Sequence, residues 1–81
     1  MTVQVFLYAS LRQYAGTGIQ GADTGVSIEL PDRATCAELL ATLGIPPQAA
    51  ALIFVNGVHE KQTFALRSGD RVAIFPPIGG G

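Results

Sequence analysis

Leu66-Arg67-Ser68-Gly69-Asp70-Arg71-Val72-Ala73-Ile74-Phe75-Pro76-Pro77-Ile78-Gly79-Gly80-Gly81 sets a turn, a strand, a proline pair and a glycine run in immediate succession. Leu66 to Asp70 has the composition of a turn. From Arg71 to Phe75 the residues alternate, with Val72 and Ile74 on one face and Ala73 and Phe75 on the other. Pro76-Pro77 has no N–H to give a sheet ladder and favours an extended polyproline conformation, so the chain leaves the sheet stiffly. The glycines then loosen it. They lead nowhere: the run displays the α-carboxylate of Gly81 on a tether without Cβ atoms, thin enough to enter a channel that any side chain would block. Gly81 is the candidate reactive group, and Gly79 and Gly80 are its tether. A merely frayed end has the same composition, so the residues upstream decide between the two.

Moving outward, Ala51-Leu52-Ile53-Phe54-Val55 predicts a strand, Asn56-Gly57 a hairpin turn, and Val58 to Lys61 a short return strand. Thr35 and Glu38 form a T-x-x-E capping box. Cys36, Leu39, Leu40 and Leu43 follow at helical spacing, with Gly44 as the stop and Pro46-Pro47 behind it. A helix over 35–43 results, too short to persist unless it packs on a sheet. Val26, Ile28 and Leu30 mark a strand closed by Pro31. Residues 2–9 alternate as well, with Val3, Val5, Leu7 and Ala9 on one face and Thr2, Gln4, Phe6 and Tyr8 on the other. Ser10 to Ala15 predicts a short helical turn, and the glycines at 16, 18, 21 and 25 a loop.

The order strand, strand, helix, strand, short strand, strand predicts an α+β domain. One main helix lies across a mixed sheet of four to five strands, and the first and last strands are neighbours at its centre, the ubiquitin-like β-grasp arrangement. Residues 1–76 form the domain and 77–81 the tail. The helix is expected to cover Val3, Val5, Ile28, Leu30, Leu52, Phe54, Val72 and Ile74. Phe6, Ile53 and Phe75 are expected on the opposite face, an apolar patch beside the tail that, with Ile78, binds a partner.

At 81 residues, 48% hydrophobic and 14% charged, the chain is one folded domain rather than a disordered one. A net charge of −1 with five basic residues gives no footprint for nucleic acid. No apolar stretch approaches the ~18–20 residues of a membrane span. Met1 to Phe6 lacks the basic region and apolar block of a secretion signal, so a cytoplasmic location is expected. A single cysteine excludes an internal disulfide and a CxxC site. Cys36, on the helix's apolar stripe, reads as a core residue rather than a nucleophile. His59 has no second ligand at metal-binding spacing, and no metal site is expected. Asp70 reads as a turn-shaping residue, and Arg12 has no evident acidic partner nearby in sequence.

Over essentially its whole length the chain resembles the small sulfur carriers of the MoaD/ThiS-like family. Leu11-Arg12-Gln13-Tyr14-Ala15-Gly16 resembles the family's L/V-R-E-L-x-G segment, and Val55-Asn56-Gly57 its V-N-G. Residues 66–81 resemble L-x-x-G-D-x-V-A-x-x-P-P-V-x-G-G in the right register. The proline pair is closest to the small subunit of molybdopterin synthase. Gly79 departs from the alanine or serine common before the terminal pair, and a triple glycine also suits other sulfur carriers. The resemblance implies a carrier that is not itself catalytic and binds no cofactor. An E1-like adenylating enzyme transfers AMP from ATP to the Gly81 carboxylate, and a sulfur donor replaces AMP to leave a thiocarboxylate. The molybdopterin synthase large subunit would receive the sulfur, in molybdenum cofactor biosynthesis. Sulfur delivery to thiamine, cysteine or tRNA thiolation, or attachment to lysines as a ubiquitin-like modifier, would use the same terminus.

Overall fold

The computed structural model describes residues 1–15 and 25–77. Five strands form one sheet: β1 (Thr2–Leu7), β2 (Val26–Glu29), β3 (Leu52–Val55), β4 (Val58–His59) and β5 (Arg71–Phe75). Their order across the sheet is β2-β1-β5-β3-β4. β1 and β5 are parallel neighbours at the centre, Val5 beside Val72 and Leu7 beside Ile74. The other pairs are antiparallel. The one α-helix among the described residues, α1 (Cys36–Leu43), supplies Cys36, Leu39 and Leu40 to the core. This is the expected mixed-sheet β-grasp with one main helix, with five strands of the expected four to five. No helix among the described residues is long and apolar enough to cross a membrane.

The helix begins and ends where its sequence dictates. The Glu38 N–H donates to Thr35 Oγ1 at 3.2 Å, and the Thr35 N–H donates back to Glu38 Oε1 at 3.0 Å. Two further first-turn donors are taken by the 62–66 segment: Cys36 N–H bonds Phe64 O at 3.0 Å and Ala37 N–H bonds Gln62 O at 2.8 Å. No N–H of that turn has to be buried without a partner. At the far end the Ile45 N–H reaches Leu40 O at 2.9 Å, and Ile45 is itself buried. The proline pair that stops the helix opens a short 3-10 turn over Pro47–Ala49.

The core lies between α1 and one sheet face. Val3, Val5, Leu39, Val72 and Ile74 are wholly buried there. Ile28 and Leu43 pack partly against it. The third strand differs from expectation. Ile53 (2% exposed) and Val55 (4%) are in the core, while Leu52 and Phe54 are half-buried on the other face. Cross-strand partners share a face, and the register sets Ile53 opposite Ile74 and Phe54 opposite Ala73. Placing Phe54 inward would force Ala73 inward and turn Ile74 out. The expected grouping of Ile53 with Phe6 and Phe75 is thereby corrected: Phe54 holds that position.

A 3-10 helix spans Ala9–Ala15 and buries Leu11, while Arg12 stays exposed. The loop expected over 16–25 lies, apart from Gly25, outside the described residues.

Candidate functional site

The sheet face away from α1 carries an aromatic array. Tyr8 and Phe75 stack with ring centroids 4.4 Å apart and planes 6° from parallel. Phe54 meets Phe75 edge-on at 5.8 Å, and His59 from β4 tilts against Phe54 at 5.4 Å. Such contacts are worth about 0.5–1.5 kcal/mol each beyond the area they bury. They hold flat, preformed rings on an otherwise open sheet. Phe6 continues the array on β1, where Arg71 Cζ sits 5.0 Å above its ring, a cation–π arrangement. Gly25 lets this ring lie close: a Cβ there would stand 2.9 Å from Phe6 Cε2, at a φ of +69° that side chains resist.

The array borders a shallow depression of about 510 Å³, with Phe6, Tyr8, Phe54 and Ala73 as its apolar wall and Asn56 and Arg71 at its polar end. Such a face fits a partner with an apolar projection beside a carboxylate.

The polar end is built by two turns clamped together. Asn56 and Gly57 both have positive φ, 53° and 84°, the geometry of a two-residue hairpin turn that Asn-Gly favours. The Asn56 side chain donates from Nδ2 to Asp70 Oδ1 at 2.9 Å and accepts at Oδ1 from the Arg71 N–H at 3.0 Å. The Arg67 N–H donates to Asp70 Oδ2 at 2.8 Å. Asp70, buried to 9% exposure, thus shapes its turn as expected. It also ties the β3–β4 hairpin to the start of β5, a link not read from the sequence. The Gly69 N–H adds a bond to Thr2 O, and the Gln4 N–H one to Asp70 O. The strand that feeds the tail is fixed at its entry from both sides.

Of the residues singled out by sequence, Phe6 and Phe75 lie on this outer face, both half-buried. Ile53 does not. Ile78, Gly79, Gly80 and Gly81 lie outside the described residues; β5 ends at Phe75, directly before Pro76-Pro77. Tyr8 and Phe54 belong to the array as well, beyond the residues singled out by sequence. Tyr8 shares the parity of Phe6, which was signal enough. Phe54 had a subtler one: four of the five core-face residues of β1 and β5 are β-branched (Val3, Val5, Val72 and Ile74), and in β3 that composition selects Ile53 and Val55. Cys36 is 1% exposed. Burial, and then the negative charges of Glu60 and Asp70, push its thiol up to about 11, so it stays protonated and inert at neutral pH.

The fold and outer face are those of a small β-grasp protein with an aromatic array on the sheet face away from its helix. The chain belongs to the ThiS family, whose model matches residues 5–81. Among solved structures it is similar to a Pyrococcus furiosus protein assigned as molybdopterin converting factor, subunit 1, at 27% identity and a TM-score of 0.71, over 96% of this chain and 99% of that one. The fold is shared with small archaeal modifier protein 1 of Haloferax volcanii (23% identity, TM-score 0.70, 95% and 98% of the two chains). It is shared as well with the ubiquitin of Caldiarchaeum subterraneum (18%, 0.59, 100% and 98%). No curated protein matches the sequence significantly. The chain is a ThiS/MoaD-like protein of the carrier type.

Proposed function

We propose that this protein carries sulfur as a thiocarboxylate on Gly81 and delivers it as the small subunit of molybdopterin synthase. The observation that carries the reading is the continuity of β5. One central strand presents Phe75 in the aromatic array and passes directly into Pro76-Pro77 and the glycine tail. A partner that grips the array therefore holds the tail's origin in place. From Ile78 to Gly81 four residues span at most about 13–14 Å, so the catalytic centre that receives Gly81 lies close to the docked face. Docking converts a bimolecular encounter of the terminus into a tethered one, with effective concentrations on the order of millimolar for a short flexible link.

The chemistry required of the chain is small. A carboxylate is a poor electrophile; an E1-like enzyme makes it an acyl adenylate from ATP, and a sulfur donor displaces AMP. The resulting thiocarboxylate is a soft nucleophile for a pterin precursor held by the large subunit. The protein contributes the face, the stiff exit and the unhindered terminus, with no acid, base or cofactor of its own. A cytoplasmic setting, where ATP and the partners reside, belongs to the same reading.

Pyrophosphate exchange with the cognate activating enzyme, followed by intact mass, tests this. The parent chain should support exchange and then gain the mass of one oxygen replaced by sulfur. Deletion of Gly80 and Gly81, or one residue added after Gly81, should abolish exchange and leave melting unchanged. Equal exchange by all three chains would refute the reading. Sulfur transfer to a pterin precursor only when the large subunit is present would assign the pathway.

A further inference from the structure

The clamp between the β3–β4 hairpin and β5 holds a side chain that can rearrange without a catalyst. Asn56 is the single asparagine of the sequence, and a glycine follows it. An asparagine amide carbon is an electrophile within reach of the next residue's backbone nitrogen, and attack there closes a cyclic imide. A following glycine has no side chain to crowd that approach. Both residues are exposed. A Cβ built on Gly57 would meet nothing within 4 Å, and no backbone acceptor among the described residues takes the Gly57 N–H. The nucleophile is uncrowded and open to water.

What restrains the reaction is the far end of the amide. Asn56 Nδ2 donates to Asp70 Oδ1 at 2.9 Å, and Asn56 Oδ1 accepts the Arg71 N–H at 3.0 Å. Both polar atoms are tied to the start of β5, so Cγ cannot swing onto the Gly57 nitrogen until both bonds break. The bond to Asp70 is charge-assisted, the stronger kind. A backbone tie reinforces it, from the Asn56 N–H to Arg71 O at 2.8 Å. Asp70 is buried and held by the Arg67 N–H at 2.8 Å, so the acceptor does not drift with the amide.

We propose that Asn56 is a self-modification site latched by Asp70: when the clamp opens, the Gly57 nitrogen displaces ammonia from the Asn56 side chain, and the product cannot close the clamp again. The Gly57 N–H gives its proton to water, its nitrogen attacks Cγ, and a C–N bond forms. The Cγ–Nδ2 bond breaks with its electron pair on nitrogen, which takes up a proton and leaves as ammonia. Water then opens the imide at either carbonyl. Opening at Cγ leaves a side-chain carboxylate. Opening at the backbone carbonyl routes the chain through the side chain and lengthens the hairpin turn by one methylene. The sum is one water in and one ammonia out, with no redox partner.

In the first product Asp70 Oδ1 loses its donor and faces a second carboxylate at close range, where each charge opposes the other. In the second, the turn no longer has the two-residue geometry that joins β3 to β4. Either product releases the entry of β5. The new charge also falls at the polar end of the outer depression, which Asn56, Gly57 and Arg71 line. None of this depends on what the tail carries.

The parent chain, Asp70→Ala, and the parent in enough urea to match the stability of Asp70→Ala are aged at mildly alkaline pH. Intact mass and peptide mapping follow the exchange of one side-chain NH2 for OH at Asn56. Loss of the charge-assisted bond should speed conversion in Asp70→Ala by about tenfold or more over the parent. Asp70→Asn, which can still accept through its side-chain oxygen, should fall between them, and the urea-matched parent should stay well below Asp70→Ala. Equal rates in parent and Asp70→Ala, a urea-matched parent as fast as the variant, or no conversion in any sample would overturn the latch. The converted chain, separated by its added negative charge, and Asn56→Asp are then titrated with urea beside the parent. Both should have a lower midpoint and faster amide exchange at Arg67 and Arg71. Unchanged midpoints and exchange would overturn the release of β5.

Discussion

Exchanging Ile53 and Phe54 separately for alanine tests which face of β3 is core. Ile53 is 2% exposed and pairs across the sheet with the wholly buried Ile74. Ile53→Ala removes three carbons, about 2.4 kcal/mol at ~0.8 per buried methylene. The cavity left behind raises the cost to about 3–4 kcal/mol, inside the usual range of ~2–5 for this change. Phe54 is half-buried, and its alanine variant loses an edge contact with Phe75 and a tilted one with His59, about 1–3 kcal/mol together. A domain of this size has about 4–12 kcal/mol in total, so both variants should fold. With a urea slope of about 1 kcal/mol/M, the midpoint should fall by about 3–4 M for Ile53→Ala and about 1–3 M for Phe54→Ala, at unchanged slope. Circular dichroism during urea titration reads both. A larger loss for Phe54→Ala than for Ile53→Ala would refute the assigned register and return Ile53 to the docking face.

Asp70→Ala leaves Asn56 Nδ2 and the Arg67 N–H without their acceptor. It should cost about 2–3 kcal/mol by denaturant titration, with faster amide exchange at Arg67 as the local signature. Thr35→Ala removes one half of the capping box and should cost about 1 kcal/mol in the same titration. Cys36 titrates near 9.0 when unfolded and at about 11 when folded. Its stabilising contribution is therefore full below pH 9 and declines as the unfolded state ionises first, levelling off above pH 11. Melting temperature should fall across that window in the parent and less in Cys36→Ala, and iodoacetamide at pH 7.5 should label Cys36 only after denaturant is added.

The helix and the last strand were legible because several independent signals coincided on each. Thr35, Glu38 and Gly44 fix the helix ends by local hydrogen bonding alone, and Arg71 to Phe75 alternates cleanly between a turn and a proline pair. β3 was legible as a strand and not as to face, because Leu52-Ile53-Phe54-Val55 is apolar throughout and offers no alternation. Its face is set by pairing with β5, a contact between residues about twenty apart in sequence. The Asn56–Asp70 clamp was hidden for the same reason, since each residue already had a local turn role that explained it. The side of the sheet taken by Phe6 and Phe75 was legible because both are on strands with strict alternation.

The parallel pairing of β1 with β5 has a consequence for how the protein is made. The two strands at the centre of the sheet come from opposite ends of the chain, so a nascent chain lacking residues 71–75 has β1 and β3 each missing a neighbour. Hairpin and helix can form early, but closing the sheet waits for a contact of nearly maximal sequence separation, the step that slows folding. Synthesis supplies β5 only just ahead of the tail. A chain truncated anywhere before it has no closed sheet, and under the proposed carrier function it has no terminus to activate either. Completion of the chain and closure of the sheet are joined in one strand.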